Sequence, residues 1–219
     1  LLHFGAVDYE ARAYVNGQPA GTHKGGYTSF SLDVTPYVTA GENTLFVAAR
    51  DDVRSGLQPQ GKQADQYYSS GCDYSRTTGI WQTVWLEFVP ETYLQYARYY
   101  PDPQNGCVTV SGLAKGEGTL RLTALWEGKP VGEKTIAVQD GFFTTQLDLE
   151  EIHLWEAGKG GLYTLLLSLE NDQVSSYFGL RTVAFQGRKF LLNGKPLFQR
   201  FVLDQGFYPD GIYTAPTEE

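Results

Sequence analysis

The 219-residue chain carries 25 acidic and 17 basic residues, for a net charge of −8, and 42% of its residues are hydrophobic. This balance argues against a nucleic-acid partner, which needs a clustered basic face. No apolar run approaches the roughly 18 residues of a membrane span. An aromatic content of 14%, together with 25 glycines, favours many short strands over helices.

The first part of the chain consists of short alternating runs broken by turn residues. Between Tyr9 and Asn16 every second residue is apolar, which predicts a half-buried strand. The following Asn-Gly pair accepts the positive φ angles of a tight hairpin turn. Ile80–Val89 has apolar residues on both faces, so we expect a central strand there. The strands predicted for an antiparallel sandwich over residues 1 to 90 are Tyr9–Asn16, Gln18–His23, Tyr27–Val34, Thr44–Arg50 and Ile80–Val89.

A long stretch without periodicity, Asp51–Gly79, separates the last two of these strands. Loops longer than about 12 to 15 residues are uncommon in compact domains and are usually either functional or disordered. This one carries Tyr67, Tyr68, Asp73 and Tyr74, a composition unlike that of disordered segments. The sequence therefore predicts an ordered functional loop.

Seven further short strands are predicted between Tyr93 and Val183, separated by glycine, proline and aspartate. This spacing is typical of an immunoglobulin-like sandwich. The two cysteines, Cys72 and Cys107, lie in different predicted modules. We therefore expect two free thiols rather than the disulfide of that fold.

The last segment combines a second Asn-Gly turn, at Asn193, with an apolar strand, Leu197–Leu203, that ends at Asp204. An apolar strand that ends in polar groups and has no later strand to pair with looks like the opening strand of a further domain. We therefore expect the residues after about Val183 to be mobile or to borrow a partner.

A series of turn and strand motifs occurs in one order along the chain. The motifs are Val15–Gly17, Gly25–Tyr27, Phe30–Thr35, Gly41–Asn43, Gly79–Leu86, Leu154–Trp155, Phe178–Arg181 and Leu191–Leu197. In this order they resemble the N-terminal part of a family 2 glycoside hydrolase, the group that contains β-galactosidases, β-glucuronidases and β-mannosidases.

The resemblance implies an all-β chain with two antiparallel sandwiches. Residues 1–90 would form an N-terminally truncated jelly-roll sugar-binding domain, and residues 91–183 an immunoglobulin-like sandwich. Residues 184–219 would form a hairpin and the start of a truncated TIM-barrel catalytic domain.

The chemistry implied by the resemblance is retaining hydrolysis of a terminal β-linked sugar. Such hydrolysis needs two carboxylates about 5 to 5.5 Å apart. The resemblance places both glutamates beyond residue 219, so it assigns no catalytic residue to this chain and implies that the chain alone is inactive. It implies substrate contacts for Asp73, Arg200 and Asp204.

Each of these side chains suits such a contact, although two have plainer alternatives. The Asp73 carboxylate can accept hydrogen bonds from two sugar hydroxyls and help to hold a cation, or it can simply cap its own turn. Arg200 lies in an apolar run where an unpaired charge is costly. The resemblance places it beside the nucleophile; alternatively it reaches solvent from an edge strand. Asp204 falls where barrel enzymes carry site residues.

The sequence leaves the sugar open, because the histidine-rich run of familiar β-galactosidases is absent after Asp204. A β-galactosidase-like enzyme remains the leading interpretation. The alternatives are a stand-alone carbohydrate-binding module and a purely structural or oligomerisation role. No cofactor is assigned, although a monovalent or divalent cation in the full-length enzyme and a homo-oligomer both stay open. The composition predicts a soluble protein and leaves open whether it is cytoplasmic or exported. The resemblance implies a carbohydrate as its partner.

Overall fold

The structure, a computed structural model, describes residues 1–208, 211 and 213–217. These residues form eighteen strands and no helix, which confirms the all-β prediction. They divide into two compact units. The first comprises Leu1–Phe88 and the described residues from Val202 onward, and the second is Val89–Phe201. Within the described residues, no helix has the length and apolarity needed to cross a membrane.

The first unit is built from short antiparallel strands in three small sheets. Its strands are β1 (Leu2–Phe4), β2 (Val7–Asp8), β3 (Glu10–Val15), β4 (Gln18–Lys24), β5 (Phe30–Leu32), β6 (Leu45–Arg50), β7 (Gly79–Ile80) and β8 (Val84–Leu86). The sheet orders are β5-β1-β8, β4-β3-β6 and β2-β7. The buried residues that join them into one core are Leu2, Phe4, Val7, Ala11, Ala13, Val15 and Val34.

The β3–β4 hairpin follows from the local sequence. Asn16 and Gly17 have φ angles of 52° and 79°, as the Asn-Gly turn predicted. The Asn16 side chain also accepts a hydrogen bond from the Thr44 amide at 2.9 Å, which ties the turn to the start of β6. Alternation along β3 buries its apolar side and leaves the polar side toward solvent.

The prediction of one long central strand at Ile80–Val89 is wrong. The segment forms two short strands, β7 and β8, which pair with β2 and β1 in different sheets, and β8 is an edge strand. The chain crosses between the sheets near Thr83, whose carbonyl accepts a hydrogen bond from Gly5 at 2.9 Å. Gly5 lies where β1 gives way to β2, so both segments change sheet together. An apolar run read alone does not reveal this crossing.

The second unit contains the seven-strand sandwich that the spacing predicted. Its strands are β9 (Tyr93–Asp102), β10 (Cys107–Lys115), β11 (Gly118–Trp126), β12 (Lys129–Val138), β13 (Gly141–Asp148), β14 (Leu162–Leu169) and β15 (Asp172–Gly179). They form the sheets β13-β10-β9 and β12-β11-β14-β15. Along β14, Tyr163, Leu165, Leu167 and Leu169 are all fully buried. Burial of each such leucine stabilises the fold by about 1.5–3 kcal/mol. Both cysteines are free, as predicted.

A three-stranded hairpin unit completes the second unit. It comprises β16 (Val183–Gln186), β17 (Lys189–Leu192) and β18 (Lys195–Pro196). Asn193 has the positive φ of the predicted turn, and its side chain donates to the Trp155 carbonyl at 2.9 Å. The hairpin therefore has partners within its own unit, contrary to the expectation for residues after Val183.

The predicted strand Leu197–Leu203 is not formed. Side chains along it, such as Phe198 and Val202, are 86% and 91% exposed. A single backbone hydrogen bond, from the Leu197 amide to the Phe190 carbonyl of β17 at 2.9 Å, ties the start of this segment to a strand. Beyond Leu197 no described strand pairs with it, and a strand cannot form without a partner. From Gln205 onward the described residues pack on the first unit instead.

Candidate functional site

The loop between β6 and β7 contains no strand, and polar side chains hold it in place. At its centre is a buried network of Asp8, Gln63 and Thr77, which are 0%, 0% and 2% exposed. Asp8 Oδ2 accepts hydrogen bonds from Gln63 Nε2 at 2.7 Å and from Thr77 Oγ1 at 2.8 Å. Gln63 Oε1 accepts from the Thr77 amide at 2.8 Å. The network joins the loop to β2.

The side chain of Asp8 is fully buried, which disfavours the charged form of its carboxyl group. Burial raises the pKa of its carboxyl, hydrogen bonds from Thr77 and Gln63 oppose the rise, and the Asp51 charge adds to it. Its second oxygen, Oδ1, has no hydrogen-bond partner among the described residues. That oxygen lies against Gly26, where an added Cβ would overlap it. Glycine at this position therefore makes room for the Asp8 carboxyl.

Gln63 also lies beside the segment that carries Asp73. The Ala64 amide donates to the Tyr74 carbonyl at 2.8 Å, and the Tyr74 amide donates to the Lys62 carbonyl at 2.6 Å. Asp73 is half-buried, and its amide donates to the Ser70 carbonyl at 3.0 Å. The turn is thus closed by the Asp73 backbone, while its carboxylate accepts no hydrogen bond from any described residue. That carboxylate is free to accept bonds from a ligand.

Tyr74 connects this loop to the residues that follow the predicted strand. Its hydroxyl donates to Gln205 Oε1 at 2.7 Å, and its ring stacks on Phe207 with centroids 4.3 Å apart. Asp204 is exposed, and its Oδ1 accepts from the Gly206 amide at 2.8 Å. The structure therefore brings the neighbours of Asp73 and Asp204 into contact.

Further aromatic contacts fasten the same segment to the first unit. The Tyr213 ring lies 5.2 Å from Trp81 and 5.6 Å from Tyr27, and Phe207 is 6.2 Å from Tyr213. The Thr214 hydroxyl donates to the Trp81 carbonyl at 3.1 Å. Of the two expected outcomes, mobility or a borrowed partner, the described residues after Asp204 show the second: aromatic side chains supply the apolar contact area that a strand ladder does not. Residues 209, 210, 212, 218 and 219 lie outside the described part.

Arg200 follows β18 in the chain. It belongs to the second unit, is exposed, and forms no ion pair with a described residue. Its predicted position inside an apolar strand is wrong, because that strand is absent. Its contact with a substrate stays a prediction.

Sequence reasoning missed an arginine pair in the loop. Arg54 Nε and an Arg76 Nη atom both donate to the Asp65 carbonyl, at 2.7 and 2.9 Å. Both guanidinium groups also lie over the Tyr67 ring, at 5.1 and 4.7 Å from its centroid. Tyr67 itself is 87% exposed. The sequence signal that could have predicted this stacking is the presence of Arg54, Tyr67 and Arg76 in one loop without strand periodicity.

No group of three or more histidine, cysteine, aspartate or glutamate side chains with metal-site geometry occurs in the described part of the chain. Of the three predicted sugar contacts, Asp73 and Asp204 immediately precede Tyr74 and Gln205, whose side chains are hydrogen-bonded to each other. Contact with a sugar stays a prediction for all three residues, including Arg200.

Two family descriptions match this chain. Residues 1–90 match "Glycosyl hydrolases family 2, sugar binding domain", and residues 98–181 match "Glycosyl hydrolases family 2". The chain belongs to glycosyl hydrolase family 2. The loop that carries Asp73 lies within the first of these matched regions, residues 1–90.

Relatives of this family 2 chain carry both galactosidase and glucuronidase names. It is 28% identical to a β-galactosidase of Thermoanaerobacter pseudethanolicus, over 96% of this chain and 31% of the relative. It is 27% identical to a β-glucuronidase of Rattus norvegicus, over 90% of this chain and 34% of the relative. The family 2 chain thus spans about a third of these relatives.

A solved structure has the same fold. A β-glucuronidase from Ruminococcus gnavus in complex with C6-substituted uronic isofagomine superposes with a TM-score of 0.71 at 22% identity. The match covers 90% of this chain and 35% of the other. The all-β architecture described above is therefore also present in that β-glucuronidase.

Proposed function

We propose that this chain is the non-catalytic front part of a retaining exo-β-glycosidase that removes terminal β-linked sugars. The observation that carries the proposal is the contact between Tyr74 and Gln205. It holds the Asp73 loop of the sugar-binding domain against the segment that begins at Asp204. Two carboxylates beside this contact offer acceptors for sugar hydroxyls.

In this proposal the chain helps to bind the terminal sugar but does not take part in cleaving the glycosidic bond. Asp73 and Asp204 accept hydrogen bonds from hydroxyls of the terminal sugar, and Arg200 contributes charge near the reacting carboxylates. The two glutamates that act as acid/base and nucleophile lie in the remainder of the enzyme. A cation held partly by Asp73 is compatible with its free carboxylate oxygens.

Whether the sugar is a galactoside or a glucuronide is the finer part of the proposal. A β-galactosidase-like specificity is favoured by the name of the first relative above, while the rat relative points to glucuronides. A stand-alone carbohydrate-binding module is less well supported, because such a module has no need of residues 184–217.

Hydrolysis assays on two proteins test the proposal. The full-length enzyme is expected to hydrolyse an aryl β-galactoside or an aryl β-glucuronide with retention of configuration, as followed by NMR of the released sugar. The 219-residue chain is expected to hydrolyse neither. Turnover by the 219-residue chain, or no turnover of either substrate by the full-length enzyme, would overturn the proposal.

A binding titration separates the alternatives. Galactose and glucuronate are titrated into the 219-residue chain by calorimetry. Weak or absent binding is expected, because in this proposal the rest of the enzyme supplies further contacts to the sugar. Tight binding by the chain alone would favour the stand-alone binding module.

A further inference from the structure

Burying the Asp8 network in the core carries a free-energy penalty that an apolar core would avoid. Removing a carboxylate from water carries a large penalty, and two hydrogen bonds offset only part of it. In the described residues no lysine or arginine lies within ion-pair distance of Asp8. Apolar side chains of similar volume would fill the same space without this penalty. The network therefore needs an explanation other than the stability of the core.

What the network supplies is a fixed geometry. Asp8 lies on β2 opposite Gly79 of β7, at the point where the loop returns to the sheet. The Gln63 side chain spans from Asp8 to the Thr77 backbone, with its amide nitrogen and its oxygen both engaged. Rotation of this amide would break both bonds in a buried place, so the amide has one orientation.

The fixed glutamine in turn fixes the segment that carries Asp73. Backbone bonds on either side of Gln63 pair its stretch of chain with Tyr74, the residue that follows Asp73. Tyr74 extends the connection to Gln205 through its hydroxyl. One continuous series of contacts thus runs from Asp8 to both predicted sugar-contacting segments.

We propose that Asp8 and Gln63 are positioning residues for the sugar subsite. They hold the Asp73 carboxylate at the distance from the Asp204 turn that the bound sugar requires. The inference rests on the proposed function, since it assigns these buried residues a role in the same sugar contact. Misplacement of a binding group by about 1 Å can cost as much as a hundredfold in rate.

A double-mutant cycle in the full-length enzyme tests this role. Gln63→Met keeps the length of the side chain and removes both hydrogen bonds. It is expected to lower kcat/KM about tenfold or more in the parent enzyme, and less than twofold in Asp73→Asn. An effect that acts through Asp73 disappears once that carboxylate is gone. Gln66→Met, at an exposed glutamine of the same loop, is the control and should leave kcat/KM unchanged. Equal losses in both backgrounds would overturn the proposal.

Hydrogen exchange on the 219-residue chain gives a second readout that does not depend on activity. In Gln63→Met, amides of residues 73–77 are expected to exchange at least tenfold faster, while those of β3 and β6 keep their rates. Unchanged exchange, or an equal rise in β3 and β6, would overturn the proposal. Thr77→Val removes one donor to Asp8 and serves if Gln63→Met does not fold. If the full-length enzyme lacks glycosidase activity, the proposed function fails, and the exchange result still decides whether Gln63 orders the loop.

Discussion

The ring of Phe207 lies over the ring of Tyr74, with centroids 4.3 Å apart and planes 19° from parallel. The two residues are far apart in the sequence, and neither lies in a strand. Their contact, together with the Tyr74–Gln205 hydrogen bond, holds residues 205–207 against the loop that carries Tyr74. The order of this segment therefore depends on a few side chains.

Phe207→Ala is expected to release the segment after residue 203. The substitution removes a stacked pair that contributes about 0.5–1.5 kcal/mol beyond its buried area. Limited proteolysis should then cleave between residues 203 and 208 several times faster than in the parent chain. Phe198→Ala, at an exposed phenylalanine, is the matched control and should leave the rate of that cleavage unchanged. Equal cleavage rates in the parent and in Phe207→Ala would mean that the stack does not order the segment.

Asp73→Asn in the full-length enzyme is expected to lower kcat/KM by about 10- to 100-fold. Hydrogen bonds to a charged group contribute about 1.5–3 kcal/mol, and the amide loses both the charge and one acceptor. The melting temperature should not change, since the Asp73 carboxylate bonds no described residue. Steady-state kinetics and calorimetry measure the two effects. Asp65→Asn, an exposed residue of the same loop, serves as the control; an unchanged kcat/KM for Asp73→Asn removes this residue from the site.

Asp8→Asn is expected to change how stability depends on pH. Burial raises the pKa of the Asp8 carboxyl above its ordinary value of 3.8. Between 3.8 and the raised pKa the folded chain holds a proton that the unfolded chain releases. The contribution of Asp8 is therefore fully present below pH 3.8 and is lost as the pH rises through the folded pKa.

Denaturant titrations from pH 7 down to pH 4 measure this contribution. As the pH falls, the free energy of unfolding of the parent chain should increase relative to that of Asp8→Asn. Comparing the two proteins cancels the other carboxylates, including Glu10 and Glu156, whose pKa values are lowered by Arg12 and Lys159. A difference that is constant with pH would contradict the raised pKa.

Tyr163→Phe is expected to destabilise the second unit by about 1–3 kcal/mol. The fully buried Tyr163 hydroxyl accepts from the His153 amide at 2.6 Å and donates to the Glu151 carbonyl at 2.8 Å. Phenylalanine leaves both backbone groups without this partner. Chemical denaturation gives the change. Tyr177→Phe, at a tyrosine that is 67% exposed, should stay within about 0.5 kcal/mol of the parent.

The features that were predictable from sequence are those set by near neighbours. The Asn16 and Asn193 turns depend on two residues each, and the strands of the second sandwich follow from alternation and turn spacing. The free state of both cysteines followed from their separation. Such features need no knowledge of distant partners.

The features that escaped prediction depend on distant contacts. The split of Ile80–Val89 needs Gly5, and the packing of the final segment needs Tyr74 and Trp81. The burial of Asp8 could not be inferred either, because an aspartate after a valine is equally typical of a strand end. Only the folded chain brings Gln63 and Thr77 to that carboxylate.

Cys72 is exposed, whereas Cys107 is buried and burial raises the pKa of its thiol. Only the thiolate reacts readily with electrophiles, so a maleimide dye should attach to one position in the whole chain. That position immediately precedes Asp73. A fluorophore placed there needs no engineered cysteine and would report, by its polarity-sensitive emission, when a sugar reaches the loop.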